Sequence, residues 1–241
     1  MGRRSEKIKG RKEAQSQAKA KVFARIGKMI TMAAKQGGPD IVANKPLADA
    51  IEAAKSARFP KDTMEKAIAR ATSPDQADYK QSSFEAYGHG GAAIYIDVLT
   101  DNPNRAAADI RTAINKSKFK IASPGSVAFN FDRMGLIHVP VDCVEDADHL
   151  LMAAIDAGAE ECDIDSQHKS RYRILTNASA LHEARKGLEQ AGYQIELAQL
   201  AMIPKTWVNV SEEDMEKNAE GIDMLQAVED VDDVFVNASV E

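Results

Sequence analysis

Over the first 72 residues, apolar positions recur at helical spacing in three stretches, about 12 to 36, 46 to 57 and 62 to 71, and no run alternates as a strand would. The pattern predicts an all-helical unit. Gly37-Gly38-Pro39-Asp40 stops the first helix, Pro46 suits the first turn of the second, and Pro60 followed by Asp62 and Thr63 opens the third. On a helical wheel Val22, Ile26, Met29, Ile30 and Ala33 share one arc of about 100°, and Lys21, Arg25, Lys28 and Lys35 lie roughly opposite. One face is therefore expected to be core and the other a positive stripe. Lys12 and Lys19 fall on the apolar side of the same wheel, so the segment before about Ala20 is expected to project from the bundle.

Residues 73 to 83 are polar and turn-rich, which marks a linker. Beyond them the pattern predicts strand 92–99, helix 104–116 and strand 126–131, the last with period-two alternation. A self-contained series follows: strand 135–140, helix 145–157, strand 160–165, strand 171–176, helix 179–191 and strand 194–203. That β-α-β-β-α-β order is the ferredoxin-like unit. Helix 211–228 and strand 233–237 would be an orphan pair alone, but joined to the elements of 92–131 they complete a second layer of helices on a sheet. The expected fold is α+β and multidomain, with a basic helical domain at 1–76, a discontinuous α/β domain at 77–133 and 205–241, and an inserted ferredoxin-like domain at 134–204.

Charge changes the picture most. The first 72 residues carry 17 Lys/Arg and 7 Asp/Glu, a net of +10, whereas residues 73–241 carry 14 and 30, a net of −16. Such a layout offers a basic arm to a polyanion while the rest of the chain repels it. The candidate nucleic-acid-binding residues are Arg3, Arg4, Lys7, Lys9, Arg11, Lys12, Lys19, Lys21, Arg25, Lys28 and Lys35, with Arg105 added from the loop Asp101-Asn102-Pro103-Asn104-Arg105. Phe23 and Phe59 are the only aromatics of the basic region and both suit an apolar face, so base stacking there has no support. From 211 to 241 eleven Asp/Glu accompany one Lys, which reads as a solvated face.

No apolar run approaches the roughly 20 residues of a membrane span. The start lacks the apolar core of a secretory signal, so a cytoplasmic protein is expected, or a mitochondrial or plastid one with its presequence absent. Cys143 and Cys162 form no C-x-x-C pair and read as reduced structural thiols. The histidines at 89, 138, 149, 168 and 182 are scattered, and no nucleophile elbow, metal-ligand spacing or phosphate loop accompanies them. No catalytic residue, no metal and no cofactor is expected, and nothing suggests a dimer, so a monomer is the expectation. Tyr87-Gly88-His89-Gly90-Gly91 precedes a strand and reads as a turn that admits the chain to a sheet.

Gly10-Arg11-Lys12, Lys19-Ala20-Lys21-Val22-Phe23 and Ala33-Ala34-Lys35-Gln36-Gly37-Gly38 resemble the N-terminal signature of the YebC family, which includes the mitochondrial translational activator of cytochrome c oxidase subunit I. Ordered matches continue through Glu85-Ala86-Tyr87-Gly88, Thr100-Asp101-Asn102 with Asn104-Arg105, Gly125-Ser126-Val127, Ala157-Gly158-Ala159-Glu160 and Met202-Ile203-Pro204. The resemblance implies a helical N-terminal domain and two α/β domains, and a non-enzymatic, ribosome-associated factor that contacts large-subunit RNA and helps synthesis of proline-rich sequences. The alternative is a DNA-binding transcriptional regulator, as family members were long labelled. The chain departs from the pattern in Ser5-Glu6-Lys7, where Ser-Lys-Trp is usual, in Ser117-Lys118-Phe119-Lys120 after Asn115-Lys116, where Gly-Gly is usual, and in His89, where proline is common.

Overall fold

The structure is a computed structural model that describes residue 20 and residues 22–71, 78–165 and 169–240. Three helices come first: α1 (residues 22–37), α2 (Lys45–Ser56) and α3 (Lys61–Ala71). They are followed by β1 (Lys80–Tyr87), β2 (Ala93–Thr100), α4 (Pro103–Lys116), β3 (Lys120–Ile121) and β4 (Phe131–Pro140). Next come α5 (Ala147–Asp156), β5 (Ala159–Ile164), β6 (Arg171–Asn177), α6 (Leu181–Gln190) and β7 (Leu197–Pro204). The chain closes with β8 (Val208–Asn209), α7 (Glu212–Gln226), β9 (Val231–Val236) and β10 (Ala238–Ser239). One sheet has the order β3-β1-β2-β9, another the order β5-β6-β4-β7, and β8 pairs with β10. The fold is α+β, as expected. In the second sheet β4 pairs antiparallel with both β6 and β7, and β5 pairs antiparallel with β6, which is the ferredoxin-like arrangement.

The chain forms two compact units. The first takes the described residues up to Ser82 together with Asp97–Asp109 and Val228–Asp232. Its helical core joins Ile26, Ile30, Ala33 and Ala34 of α1 to Leu47, Ala50, Ile51 and Ala54 of α2, to Phe59, and to Met64, Ala67 and Ala71 of α3. The buried face of α1 is rotated from the expected arc. Val22 is 46% and Met29 36% exposed, while Phe23 turns inward to meet Phe59 edge-on at 5.1 Å. Pro46 lies in the first turn of α2 as expected, and Asn44 caps that helix by accepting from Leu47 N at 3.2 Å. The Asn44 amide also donates at 2.8 Å to Ala33 O and to Gly38 O, tying the end of α1 to the start of α2. A Cβ at Gly37 would lie 2.6 Å from that amide, so the chain needs glycine there.

The second unit takes 83–96, 110–227 and 233–241. Two stretches differ from the expected elements. Residues 80–83 belong to a strand, not to a linker: they are polar and exposed along β1, so no alternation announces them. Residues 126–130 form a turn and a 3-10 helix rather than a strand, and Phe129, which a strand would bury on one face with Val127 and Phe131, is 67% exposed. The cause is Glu85. Its buried carboxylate accepts from Gly125 N at 2.6 Å, Val127 N at 2.5 Å and Ala128 N at 3.0 Å, which withdraws those donors from any sheet.

The departures at His89 and at 117–120 sit together in this unit. Phe119 is buried over Gly221, where a Cβ would overlap its ring. The His89 ring meets Phe119 edge-on at 5.6 Å and its Nε2 lies 3.1 Å from Ser117 O. Asn218 fixes the same turn by accepting from His89 N at 2.8 Å and donating to His89 O at 3.0 Å. The chain leaves α4 with Lys118 at φ +57, a left-handed C-cap in which Phe119 N donates to Ile114 O at 3.0 Å. A side chain costs about 1 kcal/mol there. Lys118→Gly is therefore expected to raise stability by about 1 kcal/mol, read as a higher urea midpoint at unchanged slope. An unchanged or lowered midpoint would contradict the assignment of that cap.

Candidate nucleic-acid interface and its intramolecular partners

Arg3, Arg4, Lys7, Lys9, Arg11, Lys12, Lys19 and Lys21 lie outside the described residues. Of the other candidates, Arg25, Lys28 and Lys35 project from α1 and Arg105 from the first turn of α4. All four belong to the first unit. Each meets a carboxylate of that unit. Lys35 Nζ lies 2.8 Å from Asp78 Oδ1, a pair open to solvent and of small energetic weight.

The other three converge on the segment 228–232. Asp230 is buried, its side chain 2% exposed. Arg105 grips it with a fork, Nε to Oδ2 and Nη2 to Oδ1, both at 2.9 Å, and Nη2 also reaches Asp101 Oδ1 at 2.9 Å. Lys28 Nζ stands 4.0 Å from Asp230 Oδ1 and donates at 3.0 Å to Leu99 O and to Glu229 O. Arg25 Nε pairs with Asp232 Oδ2 at 3.1 Å. The Thr100 side chain bonds to Asp230 as well, and its Oγ1 accepts from Asn102 N at 2.9 Å. Asn102 in turn caps α4 by accepting from Arg105 N at 3.1 Å, which holds the arginine where it can reach Asp230. Leu99 N donates to Asp230 O at 3.0 Å, so backbone and side chain of Asp230 are fixed together.

This geometry corrects two expectations about exposure. Lys28 is not on an open stripe, since its side chain is 15% exposed and bonded to main-chain oxygens. Nor are Asp230 and Asp232 part of a solvated acidic face. Sequence spacing gave no sign of this, because the partners stand 125 and more than 200 residues apart along the chain. The one signal was the Asn102-x-x-Arg105 cap, which places a guanidinium at a helix start.

Burial raises the Asp230 carboxyl, but the hydrogen bonds from Arg105 and Thr100 and the charges of Arg105 and Lys28 outweigh it, leaving the group below its ordinary value. The same bonds push the Arg105 guanidinium upward. Elsewhere, burial and then Asp163 raise the half-buried Cys162 thiol, which suits a structural thiol and not a nucleophile. Among the described residues no group of three His, Cys, Asp or Glu side chains gathers as metal ligands, and no helix is long and apolar enough to cross a membrane.

The depressed Asp230 carboxyl sets a sign for acid stability. Its contribution is fully present above the unfolded value of about 3.9 and is lost as pH falls through the lower folded value. Asp230→Asn should lower the urea midpoint at pH 7 and flatten its fall between about pH 4 and pH 2. An equally steep fall in both proteins would show that Asp230 carries no proton linkage.

A family model described as the TACO1/YebC protein N-terminal domain matches residues 3–74, and one described as the TACO1/YebC second and third domain matches residues 79–238. Proteins from Protochlamydia amoebophila and Rubrobacter xylanophilus are each 39% identical over 97% of this chain, covering 94% and 92% of their own lengths. Both are named as probable transcriptional regulatory proteins, not as enzymes. The crystal structure of a conserved hypothetical protein from Aquifex aeolicus superposes with a TM-score of 0.82 at 30% identity, over 92% of this chain and 90% of that one. The chain belongs to the TACO1/YebC family.

Proposed function

We propose that the protein is a non-enzymatic, ribosome-associated translation factor, which binds large-subunit RNA through its basic N-terminal arm and assists synthesis of proline-rich sequences. The observation that carries the reading is the charge split of +10 over residues 1–72 against −16 over 73–241. The ion pairs of Arg25, Lys28, Lys35 and Arg105 sharpen it, because these cations already have partners within the first unit. Phosphate neutralisation then falls to Arg3, Arg4, Lys7, Lys9, Arg11, Lys12, Lys19 and Lys21. An acidic remainder would be repelled from bulk RNA and held toward whatever else lies at the site. A factor placed in this way acts by positioning the reacting groups of the ribosome, which requires geometry and no side-chain chemistry of its own. The names of the relatives favour the second reading, a duplex-DNA-binding transcriptional regulator.

Two measurements separate these readings. Full-length protein should co-sediment with ribosomes, and its RNA affinity should fall with salt at a log-log slope of about −4 to −5 if about six phosphates are contacted. Reversing Arg11, Lys12, Lys19 and Lys21 to Glu should flatten that slope and release the ribosome while the protein stays folded. Arg25→Glu with Lys28→Glu should instead lower stability, since both residues hold the 228–232 segment. Ribosome profiling of a deletion strain should show stalling at proline-rich sequences with nearly constant mRNA levels. Changed mRNA levels with unchanged ribosome occupancy would contradict the proposal and support the DNA reading.

A further inference from the structure

The large exposed apolar side chains among the described residues include three aromatics: Tyr87 at 37%, Phe129 at 67% and Trp207 at 42% exposure. All three belong to the second unit, and hydrogen bonds join their segments. Tyr87 ends β1, pairs across the ladder with Lys120, and donates its hydroxyl to Ser126 O at 3.1 Å. Phe129 stands in the turn that Glu85 pins, between buried Val127 and Phe131, so an exposed ring is presented on a fixed backbone. Lys205 N donates to Asn130 O at 2.8 Å, which seats the segment leading to Trp207 beside that turn.

The ladder partner of Tyr87 is Lys120, the last of a run of exposed cations. Lys116, Lys118 and Lys120 are all exposed, and none forms an ion pair among the described residues. Three lysines within five residues are an exception in a stretch whose net charge is −16. The buried Phe119 between Lys118 and Lys120 packs against His89 and Gly221, which fixes the backbone that carries both lysines.

We propose that this end of the second unit is a second RNA-contact surface, one that takes unpaired nucleotides: bases stack on Phe129 and Trp207 while Lys118 and Lys120 neutralise phosphates. A single strand offers both bases for flat apolar faces and phosphates for cations, and stacking of this kind tolerates any sequence. An acidic protein segment would satisfy the lysines but leave the aromatic faces without flat partners. The proposal rests on the function proposed above only for the choice of RNA over DNA, and it adds a surface remote in sequence from the basic arm.

Trp207 is the sole tryptophan, so its emission reports stacking directly. The full-length protein is titrated with a single-stranded uridine 12-mer, with Trp emission and the anisotropy of a labelled copy read separately. Saturable quenching is expected, and Phe129→Ala should raise the Kd read by quenching about tenfold. Lys118→Glu with Lys120→Glu should weaken quenching and reduce the salt slope by about one to two. The oligomer annealed to its complement should not quench. Binding by anisotropy without quenching, quenching indifferent to these variants, or equal quenching by polyglutamate would overturn the proposal. The first of those outcomes leaves the arm reading standing, whereas absence of any binding overturns both. Circular dichroism confirms that the variants, all at exposed positions, keep the fold.

Discussion

A carboxylate that is buried must be matched, because an unpaired charge in a low-dielectric surround costs more than the fold can tolerate. Asp230 is such a group, and meeting its demand draws together three stretches of chain otherwise unrelated in sequence. The guanidinium of Arg105 supplies two parallel bonds, Thr100 a third, and Lys28 a nearby positive charge. To deliver Arg105, helix α4 must begin where Asn102 caps it. To deliver Lys28, α1 must turn that residue toward the carbonyls of Leu99 and Glu229. The family signature Thr100-Asp101-Asn102 with Asn104-Arg105 thus has a structural reading in which each bonded member serves one buried charge.

The second unit uses the same device with different groups. Glu85 gathers three backbone donors of the 125–128 turn, Asn218 holds both polar groups of His89, and Asn237 accepts from Ala93 N at 2.7 Å while donating to Thr206 O at 3.2 Å. Each replaces regular secondary structure at an irregular stretch by satisfying its main chain. The blocks Glu85-Ala86-Tyr87-Gly88 and Gly125-Ser126-Val127, far apart in sequence, are partners of one another for this reason. What carries function is then sought among exposed groups these bonds leave over, the basic arm and the ring-and-lysine surface.

Sequence periodicity found nearly every long element, helices α1 to α7 and strands β4 to β7 among them. It failed where burial and backbone form disagree. Residues 126–131 alternate in polarity like a strand, but Glu85 has taken their donors; residues 80–83 are assigned to a strand, but show only polar side chains. For the site, the charge of the arm was legible and the fate of its last members was not. A lysine on a polar helix face looks solvated until a carboxylate from the far end of the chain is known to meet it. The exposed aromatics were hidden for the converse reason, because Phe129 reads as a core position of a strand.

If Asp230 organises the first unit, its tie to Arg105 must be energetically coupled and not a passive surface contact. A double-mutant cycle in urea with Arg105→Ala, Asp230→Ala and the double variant measures that coupling directly. The account predicts that both single variants lower the midpoint and that the double variant is no less stable than the worse single one. Losses that simply add in the double variant would contradict it.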